Sequence, residues 1–290
     1  MIGIIIHKGV MFFSKQKVYL LISLTFLLLL SLDVKSWAAK KAISRVKISA
    51  RSVIFSNSTK TKRLYGKNIH TRVPPASTVK VLTALLVLER LSLDKIVSVS
   101  SHALYPQPSK IHVKAGEQYD VKSLLYAVLL NSANDAAVVL AEAVAGSEKQ
   151  FVALMNKRAK ELGCKNTKVV NAHGLPHAAP QYTTAYDMYL IFREVLKYPF
   201  FRQAIAYQRK NIYSQAGRKI MLTSHNDILF SKWKQKLYGK TGYTRSAKAC
   251  FVGYTKKGED DLIIAIFGCQ SGRRWKEIKY IVSSYGGLSL

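Results

Sequence analysis

The stretch Arg72-Val73-Pro74-Pro75-Ala76-Ser77-Thr78-Val79-Lys80-Val81-Leu82 restricts the folds open to this chain more than any other. The prolines fix φ and suit the first turn of a helix, where an N–H is not needed. The residues that follow, Val79, Val81, Leu82, Ala84, Leu85, Leu86, Val87, Leu88 and Leu91, are apolar on nearly every side of a helix. Such a helix is buried inside a sizeable domain. Ser77 and Lys80 stand three residues apart, so a hydroxyl and an amine share one face at the positive end of that helix. This places a nucleophile beside the group that activates it. Ser-x-x-Lys also occurs at Ser14, Ser44, Ser92 and Ser231, so the string alone does not choose Ser77. The choice rests on the rest of the chain.

The first 38 residues read as an export segment. Lys15 and Lys17 precede an apolar run from Val18 to Leu32, and Ser36-Trp37-Ala38 supplies the small residues of a cleavage site. An uncleaved anchor over residues 18–32 is the alternative, and Met11 is a second candidate start. Either form implies an exported protein, in the periplasm or on the wall side of the cytoplasmic membrane. The net charge is +29, with Lys and Arg scattered along the chain. That pattern fits a solvated basic surface attracted to an anionic wall or membrane, and no nucleic-acid motif accompanies it. Three cysteines, Cys164, Cys250 and Cys269, imply no complete disulfide framework. Cys250 and Cys269 fall on neighbouring strands and could face each other, but all three are expected as small buried residues. The seven histidines have no ligand spacing, and nothing resembles a phosphate cradle, so no metal or cofactor is expected.

Residues Ala39–Leu290 read as one domain with strands first, helices in the middle and strands again before a last helix. Ala42–Lys67 alternates as a hairpin. Helices are expected at Pro75–Leu91, Val121–Leu130, Ala136–Ala145, Glu148–Leu162 and Thr183–Leu196. Strands are expected at Asp94–Ser100, Tyr207–Tyr213, Lys219–Leu222, Leu237–Tyr243, Ala249–Thr255 and Leu262–Cys269, with a closing helix at Arg273–Tyr285. This is an α+β pattern: the N-terminal hairpin joins a late antiparallel sheet, and the helices form a lobe with a cleft between.

Three segments carry chemistry. Ser77-Thr78-Val79-Lys80 starts a buried helix, Ser132-Ala133-Asn134 lies between two apolar helices, and Lys240-Thr241-Gly242 lies on a strand. Lys-Thr-Gly occurs once; Ser-x-Asn recurs at Ser224-His225-Asn226. In this order the chain resembles the serine-type D-alanyl-D-alanine carboxypeptidases, the low-molecular-mass penicillin-binding proteins of the peptidase S11 type. The likeness runs from Ile48 to Gly287. It includes Tyr65-Gly66-Lys67-Asn68, Lys114-Ala115-Gly116-Glu117, Asn134-Asp135-Ala136-Ala137, His173-Gly174-Leu175, Gln181–Met188 and Arg274.

The resemblance implies a β-lactamase/transpeptidase-like fold and no cofactor. It also implies two ligands: a peptidoglycan peptide ending in D-Ala-D-Ala, and β-lactam antibiotics that acylate Ser77. Lys80 must be neutral to take the Ser77 proton, which burial and a nearby Lys240 ammonium would favour. The resemblance assigns oxyanion donors to the N–H groups of Ser77 and Tyr243, and proton relay to Ser132. Asn134 would hold Lys80 and a substrate amide. Lys240 and Thr241, with support from Arg274, would hold the terminal carboxylate, and Gly242 would leave room for the substrate backbone. His173 is as well explained by loop packing. The middle motif lacks the aspartate of β-lactamases, and Gly163–Tyr186 contains no Glu to activate a deacylating water, so penicillin turnover is expected to be slow. A second, C-terminal β domain is not expected in this chain. The alternatives are an endopeptidase that cuts D-alanyl cross-links and a non-catalytic basic wall-binding protein.

Overall fold

A five-stranded antiparallel sheet is closed by the earliest strand. β1 (Ser52–Asn57) pairs on one side with β2 (Lys62–Lys67) and on the other with a strand that follows 203 residues later. The computed structural model describes residues 46–106 and 108–289. The expected export segment, residues 1–38, lies outside them.

Helix α1 (Lys80–Arg90) follows a short 3₁₀ turn at Ala76–Val79. A two-stranded ribbon, β3 (Ile96–Ser98) and β4 (Gln118–Asp120), precedes α2 (Val121–Leu129), α3 (Asn134–Ala145) and α4 (Glu148–Glu161). Next come α5 (Ala185–Val195) and α6 (Pro199–Ala204), then a second ribbon, β5 (Arg209–Tyr213) and β6 (Lys219–Thr223). Strands β7 (Tyr238–Thr244), β8 (Lys248–Lys257) and β9 (Asp260–Cys269) lead to α7 (Arg274–Gly286). The sheet order is β2-β1-β9-β8-β7.

Alternation along the strands makes the sheet two-faced. Val53, Phe55, Ile264 and Ile266 pack with Ile278, Ile281 and Val282 of α7, while Ile54, Val252, Ala265 and Phe267 join the helical core. α1 runs through the middle of that core and packs on α2, α3, α4 and α5. Leu82, Leu85 and Leu86 are fully buried there. Each contributes on the order of 2 kcal/mol by leaving water. α5 bridges the two parts, touching α1 on one side and β1, β8 and β9 on the other.

The expected α+β architecture is present, with local differences. The first turn before α1 is 3₁₀, with Pro75 preceding it and Ala76 at φ +47°. α3 begins at Asn134, two residues before the expected Ala136. Helix α6, with Pro199 at its start, occupies a segment where no helix was expected. The segments Tyr207–Tyr213 and Lys219–Leu222 pair with each other and stay out of the main sheet. That ribbon docks on β4 instead. Gln215 N–H donates to Gln118 O, and Arg218 grips Glu117 bidentately with two 2.6 Å contacts. Glu117 also accepts the Lys114 N–H, which gives the Lys114–Glu117 motif its structural role. Cys250 and Cys269 are free, because a register shift at Ala249/Phe251 sends them to opposite core clusters; all three cysteines are buried. Among the described residues no helix is long and apolar enough to cross a membrane.

Candidate active site

Pro75 prepares the turn that carries the nucleophile. Its carbonyl accepts from both the N–H and the hydroxyl of Thr78, the latter at 2.6 Å, which closes the 3₁₀ turn around Ser77. In a 3₁₀ turn residues i and i+3 eclipse, so Lys80 lies over Ser77. Their Nζ–Oγ distance is 3.1 Å. Ser77 is half-buried and reachable, whereas Lys80 has no exposed surface. The Lys80 amine also lies 2.6 Å from Asn134 Oδ1 and 2.8 Å from His173 O. Both oxygens are acceptors only. A neutral Lys80 therefore spends its two N–H groups on them and turns its lone pair to the Ser77 hydroxyl. Burial holds its pKa well below the usual lysine range, and the Lys240 charge pushes the same way; Asp135 opposes them.

The acceptors are themselves fixed. Asn134 opens α3, and its N–H donates to Ser109 O at 2.8 Å. Its amide NH₂ donates to Pro108 O, so Oδ1 must face Lys80. Asp135, fully buried, accepts from the N–H groups of Ile111 and Val113 and so fastens the 108–113 loop to the helix start. Ser132 is buried at φ +57° in the link between α2 and α3, two residues before Asn134.

On the far side of Lys80, Asn171 Oδ1 accepts from Gly174 N–H at 2.6 Å, and Thr83 donates to Ala172 O at 2.6 Å. These bonds set the His173 carbonyl. The His173 ring is held neutral, with its pKa lowered to about 3 by burial and then by the Lys80 charge. Its Nδ1 accepts the Leu175 N–H, leaving Nε2 towards Glu148 at 3.7 Å. The ring packs the loop, and the carbonyl serves the site.

The third segment closes the cleft. A Cβ on Gly242 would lie 3.1 Å from Ser77 N and 3.2 Å from Thr78 N, so β7 runs against the nucleophile turn with no room for a side chain. Lys240 is 1% exposed, and its amine donates to Thr241 O at 3.0 Å. Burial, with help from the Arg274 charge, lowers its pKa to about 7. Arg274 starts α7 and donates to Cys250 O at 3.2 Å, opposite Gly242 in the register. Its Nε is buried without a partner. Thr241 is buried, and Tyr243 is 61% exposed at the edge of β7.

Ser77, Lys80, Asn134 and Gly242 thus gather in one place, with Ser132 two residues before Asn134 and with Thr241 and Tyr243 flanking Gly242 in the chain. Direct contacts join Ser77, Lys80 and Asn134; Gly242 abuts Ser77; Lys240 lies within electrostatic reach of Lys80 and Arg274. Sequence reasoning missed the Pro108 carbonyl and the Asp135 clamp. A buried aspartate one residue into a helix was the available signal for the second. Among the described residues no cluster of His, Cys, Asp and Glu is placed to hold a metal ion.

A family model described as D-alanyl-D-alanine carboxypeptidase matches residues 38–271. The D-alanyl-D-alanine carboxypeptidase DacF of Bacillus subtilis is 36% identical over 237 residues, which cover 80% of this chain and 60% of that protein. Its chain is thus spanned only in part. Among solved structures, a D-alanyl-D-alanine carboxypeptidase from Mycobacterium tuberculosis aligns with TM-score 0.77 and 29% identity, covering 85% of this chain and 95% of that one. The Streptomyces K15 DD-transpeptidase aligns with TM-score 0.78 and 26% identity, covering 85% and 100%.

Proposed function

The chain belongs to the D-alanyl-D-alanine carboxypeptidase family, and from that premise we propose that it removes the terminal D-alanine from peptidoglycan stem peptides through a Ser77 acyl-enzyme. The observation that carries this reading is the Lys80 amine, buried, held by two acceptor oxygens and 3.1 Å from the Ser77 hydroxyl. Lys80 takes the hydroxyl proton as Oγ attacks the carbonyl carbon of the penultimate residue. The developing oxyanion takes its hydrogen bonds from the N–H groups of Ser77 and Tyr243, the donors that this reading assigns. Ser132 passes a proton to the departing amine, while Lys240, Thr241 and Arg274 hold the free carboxylate of the D-alanine that leaves. Water then hydrolyses the ester. β-Lactams enter by the same attack, and the absence of Glu from Gly163–Tyr186 leaves their adduct slow to clear. Export by residues 1–38, and attraction of the basic surface to an anionic wall, belong to the same proposal.

The test supplies purified protein with a D-Ala-D-Ala pentapeptide, a cross-linked muropeptide dimer and a fluorescent penicillin. Free D-alanine from the pentapeptide and a persistent fluorescent adduct are expected. Monomers from the dimer without D-alanine would make it an endopeptidase; neither product and no adduct would leave only a wall-binding protein.

The charges also predict a pH profile. Lys80 must be neutral and Lys240 charged for one molecule to work. The activity kcat/KM should rise with pH as Lys80 sheds its proton, and fall above about 7 as Lys240 loses its own. A profile still rising at pH 9 would contradict the role given to Lys240.

A further inference from the structure

Glu148 opens α4 and takes no part in the chemistry above, yet its side chain reaches the loop that holds Lys80. A carboxylate in the first turn of a helix is favoured by the helix dipole. That accounts for an acid at this position and leaves its direction unexplained. The chain has 45 Lys and Arg against 16 Asp and Glu. Among the described residues, no lysine or arginine pairs with Glu148. Its Oε1 turns instead to two neighbouring groups of the loop. It accepts the Ala172 N–H at 2.9 Å, across 24 residues of chain, and stands 3.7 Å from Nε2 of the neutral His173 ring. The Glu148 side chain is 18% exposed, so water competes little for this bond.

The same loop lies along one face of α1. Thr83 and Lys80 are three residues apart and face the same way. They donate to successive carbonyls, Thr83 Oγ1 to Ala172 O at 2.6 Å and Lys80 Nζ to His173 O at 2.8 Å. Ala172 is thus held from both sides, its N–H by Glu148 and its carbonyl by Thr83. The next carbonyl in the chain is the one that takes an N–H of Lys80. With Asn134 Oδ1 taking the other, the lone pair is left for Ser77 Oγ, 3.1 Å away.

We propose that Glu148 is a positioning residue for acylation: it fixes the Ala172–His173 backbone, and through it the direction of the Lys80 lone pair. This rests on the reading of Lys80 as the base that serves Ser77. Without Glu148 the His173 carbonyl swings on the Thr83 bond, and Lys80 loses the acceptor that orients it. Glu148 contacts none of the residues assigned to hold the substrate, so affinity stays as it is.

The test is single-turnover acylation by a fluorescent penicillin. Binding of an N-acylated tripeptide ending in D-alanyl-D-alanine is measured beside it, in a Ser77→Ala background. Glu148→Ala should slow acylation about tenfold, as a small misplacement of a catalytic group does, and leave tripeptide binding unchanged. Glu148→Gln, which keeps an oxygen for the Ala172 N–H, should recover most of the rate. Ser147→Ala removes the α4 cap bond to the Gln150 N–H; it should lower the melting temperature and leave the acylation rate alone. Should Glu148→Ala fail to fold, Glu148→Asp, which draws the oxygen back by one methylene, carries the same expectation. Acylation at the parent's rate, a Gln variant as slow as the Ala variant, or an equal loss of tripeptide binding would overturn the proposal. So would a Ser147→Ala protein slowed to the same extent. Lys80→Met, measured alongside, scores the reading beneath. If it acylates like the parent, the base assignment fails and takes this proposal with it; if it alone is slow, only the role of Glu148 fails.

Discussion

Ser77→Ala is expected to give no covalent adduct with penicillin, and Lys80→Met to lower the acylation rate by on the order of 10³-fold with the fold intact. The first removes the atom that bonds to substrate. The second leaves the hydroxyl in place without a base, and a positioned general base accounts for roughly 10²–10⁴ in rate, or about 3–5 kcal/mol. Lys80 is suited to this comparison because methionine fills similar space and carries no charge into a site that is already fully buried. Its removal does orphan Asn134 Oδ1 and His173 O, each of which loses a donor 2.6–2.8 Å away. Leaving a buried acceptor unpaired costs about 1–3 kcal/mol. Stopped-flow acylation measured beside thermal melting separates the two effects. A Lys80→Met protein that melts like the parent and acylates at more than a tenth of its rate would remove Lys80 from the mechanism.

Gly174→Ala is expected to destabilise the protein by about 3 kcal/mol and to impair acylation as well. Two independent obstacles meet at this position. The backbone sits at φ +85°, and an added Cβ would stand 2.0 Å from Ala76 O and 2.9 Å from a Val79 methyl. Neither neighbour can yield cheaply, since Ala76 begins the turn that holds Ser77. The loop must retreat and take the His173 carbonyl away from Lys80. Gly217→Ala is the control: its φ is +81°, but nothing lies within 4 Å of the new atom. It should cost only the dihedral strain, about 1–2 kcal/mol. For a domain of this size the difference is several degrees in Tm. Equal melting temperatures for the two variants would show that the contact with Ala76 does not matter.

Much of this site was legible in residue order because its chemistry depends on short spacings. Ser77 with Lys80, and Ser132 with Asn134, are pairs fixed by one turn of backbone, and Lys240-Thr241-Gly242 is continuous. Burial of α1 followed from its unbroken apolar run. The unreadable parts are those made by distant chain. Nothing near His173 says that its carbonyl, and not its ring, is used; that depends on Asn171, Thr83 and the Ala76 turn meeting in space. The 3₁₀ turn was hidden for a related reason. Proline signals a start without fixing which helix starts, and the choice came from the Thr78 hydroxyl bonding back to Pro75. The β5–β6 ribbon read as sheet because alternation reports a two-faced strand and not its partner. The Arg218–Glu117 pair decided that, across 101 residues.

The pairing of β1 with β9 fixes when the proposed site can be complete. A chain emerging progressively from a ribosome or a channel has its serine and lysine long before it has the strand that completes the sheet or the segment that supplies Lys240. Sheet closure across so long a loop is a slow, non-local event. A chain made only as far as α5 therefore lacks both the sheet partner of β1 and the Lys240 edge on which the proposed chemistry depends.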